Sequence, residues 1–320
     1  MRKGIAAHNI FMLAEKEVSV DSISHALIIT IILVLIGRPD LALYGILGAV
    51  LIDIDAVFNR FSDRDPRLYI FTHGGFTHSF TGVFIISLLA AAISLPFSGS
   101  GFLGSFVSPF GPEAFAAILA GALSHIVIDY LAYPGIPLFY PLSDKKYTLG
   151  ILGGPSGFIM VFSLVFIVAM ALGHASIYRP WPYIALFALI LALSVLTKGY
   201  AVVKTKGRAI ATMNPLSWIA IEDTPEAYRF YRYDFLSGRS PVESYEKYKG
   251  IEPAEAEKKY VIPELKRLRY HSYIVTVERD GDSIIYRDPI REKKHIWYPP
   301  YFKNYSIPAD NRLKTETNTS

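Results

Sequence analysis

Long apolar runs separated by short polar turns fill the first two-thirds of the chain, and short alternating or broken runs fill the last third. The runs near 20–37, 41–59, 78–96, 113–133, 157–177 and 181–203 each approach the roughly 20 helical residues that cross a hydrocarbon core of about 30 Å. The last two are the purest: Gly157 to Tyr178 and Trp181 to Thr197 contain no Asp, Glu, Lys or Arg. The pattern predicts an α-helical integral membrane bundle of about six transmembrane helices over residues 1–205. Residues 5–14 are also apolar, but without the long core and cleavage site of a secretory signal they suit an interfacial helix better.

From 206 onward the period changes. Ser217–Ile221 and Ala227–Phe235 read as strands, and Val242–Lys249 and Ala254–Tyr260 as short helices. Pro263 should interrupt or restart that last helix before Arg269. Tyr270–Val277 and Ser283–Tyr286 flank Asp280-Gly281, a hairpin turn signal. The expectation is a small cytoplasmic α+β, β-rich domain over 206–310 and a flexible tail over 311–320.

Charge sharpens this division. Residues 1–205 hold 12 Lys/Arg and 11 Asp/Glu, and the shorter remainder holds 20 and 17. The net charge of +4 is too small to argue for nucleic acid. One set of loops carries Arg2, Lys3 and Lys16, then Arg60, Arg64 and Arg67, then Lys145 and Lys146, then Lys198, Lys204, Lys206 and Arg208. The alternate set carries only Arg38 and Arg179. By the positive-inside rule the chain is a multi-pass protein of the plasma membrane with both termini in the cytoplasm. The absence of cysteine removes disulfides, thiolate metal sites and thiol nucleophiles.

Seven ionisable residues in or beside the apolar runs gather at one end. His25 opens the first, Asp53 and Asp55 close the second, His73 and His78 lead into the third, and His125 and Asp129 lie late in the fourth. All fall at the expected cytoplasmic end. The turn at Arg38 makes the first two runs a hairpin, and His25 and Asp53 both lie about 20 Å along a helix from it, so they share a depth. His125 and Asp129, spaced i, i+4, share a helix face. Asp53 and Asp55, spaced i, i+2, would be splayed by an ideal helix, so only one points inward or the helix is ending. Ionisable groups at this depth cost several kcal/mol and so mark function.

Imidazoles with carboxylates form a ligand set for a divalent ion. The expected ligands are His25, Asp53, His78, His125 and Asp129, with His73 or Asp55 as a further ligand or the general base. Zinc, as one or two ions, fits best; manganese or magnesium would also suit. Thr77, Ser79 and Ser124 flank the histidines as hydrogen-bond partners. His8, His174, His271 and His295 are read as non-ligands. Gly45, Gly48, Gly121 and Ala122 are read as sites of close helix contact.

At these residues the chain resembles the YdjM/YbcI-type family of membrane-bound metal-dependent hydrolases. Ser24-His25 matches the family's early Thr/Ser-His, and Leu47 to Asp55 resembles its Leu-Gly-x-x-x-Pro-Asp-x-Asp block. His73-Gly74-Gly75-Phe76-Thr77-His78-Ser79 resembles its His-Arg-Gly-x-Thr-His-Ser signature. Gly121 to Asp129, with Pro134-Gly135-Ile136-Pro137 and Tyr140-Pro141-Leu142-Ser143, resembles the last block. Ile52 replaces the usual Pro and Gly74 the usual Arg; Arg64 or Arg67 would take over substrate binding from that Arg. The resemblance implies a hydrolase. The depth of the site points to a phosphoester or other ester of a lipid or amphiphile in the bilayer. The competing readings are a metal or proton transporter using the same residues, and a non-catalytic membrane scaffold.

Overall fold

The structure is a computed structural model that describes residues 21–97, 109–154, 157–205, 208–212, 214–296 and 304–309. His8, the apolar stretch 5–14, most of the loop 97–112 and the tail 311–320 lie outside the described residues. Two compact units form: Met1–Asn59 with Phe71–Ala192, and Arg60–Ile70 with Leu193–Ser320.

The first unit is helical. Helix α1 (Ser22–Leu35) starts at Asp21, whose carboxylate accepts from the Ser24 amide. A 3₁₀ turn leads into α2 (Ala42–Leu51), which continues as a 3₁₀ helix over Ile52–Phe58 and then as α3 (Asn59–Arg64), of which only Asn59 belongs to this unit. Helix α4 (Phe80–Ser94) is capped by Ser79, whose hydroxyl accepts from the Gly82 amide at 3.0 Å. Helix α5 (Pro112–Leu131) starts on a proline and carries Glu113 in its first turn. After it, the two-residue strands β1 (Ala132–Tyr133) and β2 (Leu152–Gly153) pair in parallel. Thr148 donates to the carbonyls of Tyr130 and Ala132, which secures the end of α5. Helix α6 (Gly157–Ala171) follows, and α7 (Trp181–Thr205) belongs to this unit up to Ala192 and to the second from Leu193. The core of α1, α2 and α5 is made of small and branched residues: Ile29, Leu33, Ala49, Ala117 and Ile118.

Three of the described helical stretches are long and apolar enough to cross a membrane: Pro39–Arg64, Pro112–Leu131 and Trp181–Thr205. The expectation of six spans is corrected here. Helices α1, α4 and α6 have only 14, 15 and 15 residues, about 21–23 Å at 1.5 Å per residue, against a core of about 30 Å. The apolar runs continue past the helix ends, but Gly37 and Gly173 take positive φ at their own ends and Leu95-Pro96 turns 3₁₀.

The second unit carries two sheets. Strands β3 (Arg208–Ala211), β4 (Ser217–Asp223), β5 (Ala227–Asp234) and β6 (Gly238–Arg239) run in antiparallel order, with β7 (Glu243–Glu246) also on β5. Val242–Lys249 is therefore strand, as β7 and β8 (Tyr248–Lys249), and not helix. Glu243 and Tyr245 alternate in burial with Ser244 and Glu246, a period of two that helix-forming residue types conceal. Helices α8 (Pro253–Lys258) and α9 (Pro263–His271) both start on proline. Helix α9 takes Tyr270 and His271, so the next strand, β9, starts only at Thr276 (Thr276–Asp280). It pairs with β10 (Ser283–Arg287) across a turn where Gly281 has φ +56°, and β11 (Tyr305–Pro308) completes the sheet.

Candidate metal centre

Seven side chains expected from the sequence meet in the first unit. The backbone gives the reason for Asp53 and Asp55. At Ile52 the helix changes from about 3.6 to about 3.0 residues per turn, so residues i and i+2 stand about 120° apart instead of about 160°. Both carboxylates are consequently buried, at 8% and 1% exposure.

Asp53 lies among three imidazoles. Its Oδ1 is 3.3 Å from His125 Nε2, 3.6 Å from His78 Nε2 and 3.6 Å from His73 Nδ1. Its Oδ2 accepts from the Ser22 hydroxyl at 2.9 Å. Asp129 answers from the other side: Oδ2 is 3.1 Å from His78 Nε2 and 3.4 Å from His125 Nε2, and Oδ1 is 3.5 Å from His25 Nε2. The His25 and His125 rings stack with centroids 3.7 Å apart. Two groups of three donors have ligand atoms within 4.8 Å of one another: His25, His125 and Asp129, and Asp53, His73 and His78. Among the described residues, neither group includes His174, His271 or His295.

Hydrogen bonds fix which nitrogens face inward. His125 Nδ1 donates to the Ala49 carbonyl at 2.7 Å, leaving the Nε2 lone pair for the centre. The Thr77 hydroxyl donates to Asp55 Oδ2, and its oxygen lies 3.0 Å from His78 Nδ1, which also lies 3.1 Å from Asp55 Oδ2. His78 therefore also turns Nε2 inward. His73 Nδ1 lies 3.0 Å from Asp55 Oδ1, and the His73 amide donates to Asn59 Oδ1 at 3.0 Å. Asp55 thus holds two imidazoles in place, as carboxylates behind metal-bound histidines do.

The donor set fits a divalent cation on one further observation. His25 Nδ1, Asp53 Oδ1, His78 Nε2 and His125 Nε2 are buried and make no hydrogen bond, a costly condition that a bound ion relieves. The 3.1–3.6 Å spacings of His78 Nε2 and His125 Nε2 to the Asp53 and Asp129 carboxylates also resemble the ligand–ligand edge of about 3.3–3.4 Å around tetrahedral zinc. Asp129 is the open member, its side chain 26% exposed.

The remaining expected residues lie elsewhere. Ser79 caps α4, and Ser124 donates to Gly121 on its own helix, so of the three hydroxyls only Thr77 reaches the histidines and carboxylates. Arg64 ends α3 and Arg67 pairs with Asp65; both belong to the second unit. Gly74 has φ +75°, a backbone that favours glycine over the arginine of the resembling signature. Ser22 and Asn59 were not anticipated, because polar residues at helix ends are too common to stand out. Nor was the buried chain of hydroxyls from Ser24 through Ser163 to Tyr183, linked at 2.7 and 2.9 Å.

Residues 20–205 match the family model described as the YdjM inner membrane protein, in agreement with the resemblance carried by the four sequence blocks. No curated protein and no solved structure matches the chain.

Proposed function

Since the chain belongs to the YdjM inner membrane protein family, we propose that it is a membrane-bound, metal-dependent hydrolase acting on a phosphoester or other ester of a lipid or amphiphile. The observation that carries this reading is that Asp53 Oδ1, His78 Nε2 and His125 Nε2 are all buried and without a hydrogen bond, the two nitrogens lying 3.1–3.6 Å from Asp53 Oδ1 and Asp129 Oδ2. His25, His125 and Asp129 would hold one ion, and Asp53, His73 and His78 a second. Zinc suits three imidazole-rich donors best. Bound ions supply Lewis acidity to a phosphoryl or acyl oxygen and lower the pKa of an attacking water.

The chain's own residues do the rest. Asp55 and Thr77 lock the tautomer and direction of His78, and Ala49 does so for His125. Ser22 fixes the rotation of Asp53. Both oxygens of Asp55 already have hydrogen-bond partners, so it orients imidazoles in this reading and does not take the proton. His73, tethered by Asp55 and Asn59, then serves as a ligand. Asp129, the exposed member, marks where a headgroup enters.

We also propose that the side bearing Arg60, Arg64, Arg67, Lys145 and Lys146 faces the cytoplasm. The shorter helices embed against the long ones without each bridging the full core. The test is paired: phosphate or acyl release from a panel of lipids, beside ion flux, in the same proteoliposomes. Release that disappears in Asp53→Asn supports the hydrolase. Flux without hydrolysis of any ester would establish a transporter instead.

A further inference from the structure

The chain leaves the metal centre at Asn59 and re-enters it at His73, and between them Arg60–Ile70 belongs to the second unit. One helix of that unit, α9, holds both ends of this segment. Arg267, 1% exposed, donates through Nη1 to the Ser62 carbonyl at 2.7 Å and through Nη2 to the Asp63 carboxylate. One turn further along α9, Tyr270 meets Tyr69 edge-on with ring centroids 5.0 Å apart, and Lys266 lies over the Tyr69 ring at 5.2 Å. The segment is buried at Ser62, Tyr69 and Ile70.

A buried guanidinium is a poor way to gain stability alone, since an apolar side chain of similar volume often does as well. It is a good way to fix geometry, because its donors form a rigid fork. Here the fork grips the segment whose preceding residues include Asp53 and Asp55 and whose following residues include His73. The two flanks touch each other through the Asn59–His73 hydrogen bond. Residues 60–70 are the covalent link between these two flanks.

We propose that Arg267 is a positioning residue for the metal centre, acting through Ser62 and Asp63 on the spacing between the Asp53–Asp55 turn and His73. This rests on the metal reading above.

The test uses the full chain in detergent with Co²⁺ as probe, reading affinity by chelator competition and ligand geometry by the visible d–d spectrum. Arg267→Met removes both hydrogen bonds, and Asp63→Ala breaks the same clamp from its half-exposed side. Arg267→Lys keeps one donor. The expected result is a changed Co²⁺ spectrum and about 2- to 30-fold weaker binding in the first two, the range of mutations along a coupled path, with partial recovery in Arg267→Lys. Hydrogen exchange in the β9–β10 hairpin reports whether the second unit stays folded. If Arg267→Met fails to fold, Asp63→Ala decides alone. Wild-type affinity and spectrum in Asp63→Ala, or in a folded Arg267→Met, overturn the proposal. A wild-type chain that takes up no Co²⁺ overturns the metal reading itself.

Discussion

Helices α2 and α5 approach so closely that a single methyl group should separate them and damage the metal centre. A Cβ at Gly48 would lie 1.9 Å from the Ile118 carbonyl oxygen, and one at Gly121 would lie 2.0 Å from that of Gly45. Such contacts essentially never fall below 3.0 Å, so the backbones must part by about 1 Å. No flexible side chain can absorb the shift. Over-packing costs about 1–3 kcal/mol, and Gly48→Ala and Gly121→Ala should sit at or above the top of that range. The same displacement would stretch the His125 Nδ1 bond to the Ala49 carbonyl from 2.7 Å to about 3.7 Å, beyond hydrogen-bonding range. Losing a bond that orients a ligand imidazole weakens metal binding by about 10–100-fold. Gly45→Ala is the control. Its Cβ would meet Leu33 Cδ1 at 2.6 Å and Ile29 Cγ1 at 2.9 Å, both on side chains and not on backbone, so it should cost less than the other two, within about 1–3 kcal/mol, and leave the metal in place. The assay is thermal unfolding in detergent together with chelator-competition affinity for each variant. Wild-type affinity in Gly48→Ala and Gly121→Ala, or Gly45→Ala as the worst of the three, would refute the reasoning.

The other predictions concern single groups. His125→Ala should lower metal affinity by about 10–100-fold or more, as a ligand lesion does, while His174→Ala, which lies outside both donor groups, should leave metal content unchanged; equal loss would indicate general misfolding. Asp55→Asn should weaken metal binding, also by about 10–100-fold, because it unseats two imidazoles; full metal with no turnover would return Asp55 to the role of base. A cysteine at Ser105, clean in a chain that has none, should label only from outside; labelling from the cytoplasmic side alone would reverse the orientation. In the second unit burial pushes the Asp288 carboxyl up to about 6 against the amide bonds it accepts. Its folded value exceeds the unfolded one of about 3.9, so the stability it contributes is complete below about pH 4 and lost as pH rises through 6. Asp288→Asn should flatten that dependence in hydrogen exchange of β9–β10, and an unchanged slope would exclude Asp288 as its source.

The site was legible where sequence spacing converts directly to geometry. His25 and Asp53 were expected at one depth from their distances to the Arg38 turn, and the i, i+4 spacing put His125 and Asp129 on one face; the structure brings all four into one cluster. The i, i+2 spacing of Asp53 and Asp55 offered the end of the helix as one alternative, and the α-helix does end at Leu51; that it continues as 3₁₀ was not legible, because Ile-Asp-Ile-Asp alternates alike in either helix. Span lengths were overread because hydropathy continues through Gly37 and Leu95-Pro96 after the helices end. The β7–β8 segment was misread because Glu and Lys favour helix locally and no Gly or Pro breaks the run, whereas pairing to β5 and β9 decides the outcome. The contacts of Arg267 were invisible for a simpler reason: nothing local links residues 62 and 267.

The most direct test of the central claim is elemental analysis of the purified wild-type chain after exposure to zinc and exhaustive exchange into metal-free buffer, beside Asp53→Asn and Asp129→Asn. The account predicts tightly held divalent metal, one ion for each of the two donor groups, and its loss from both variants while the fold persists. A wild-type chain that retains no zinc, and equally no manganese or magnesium when offered those, would contradict it.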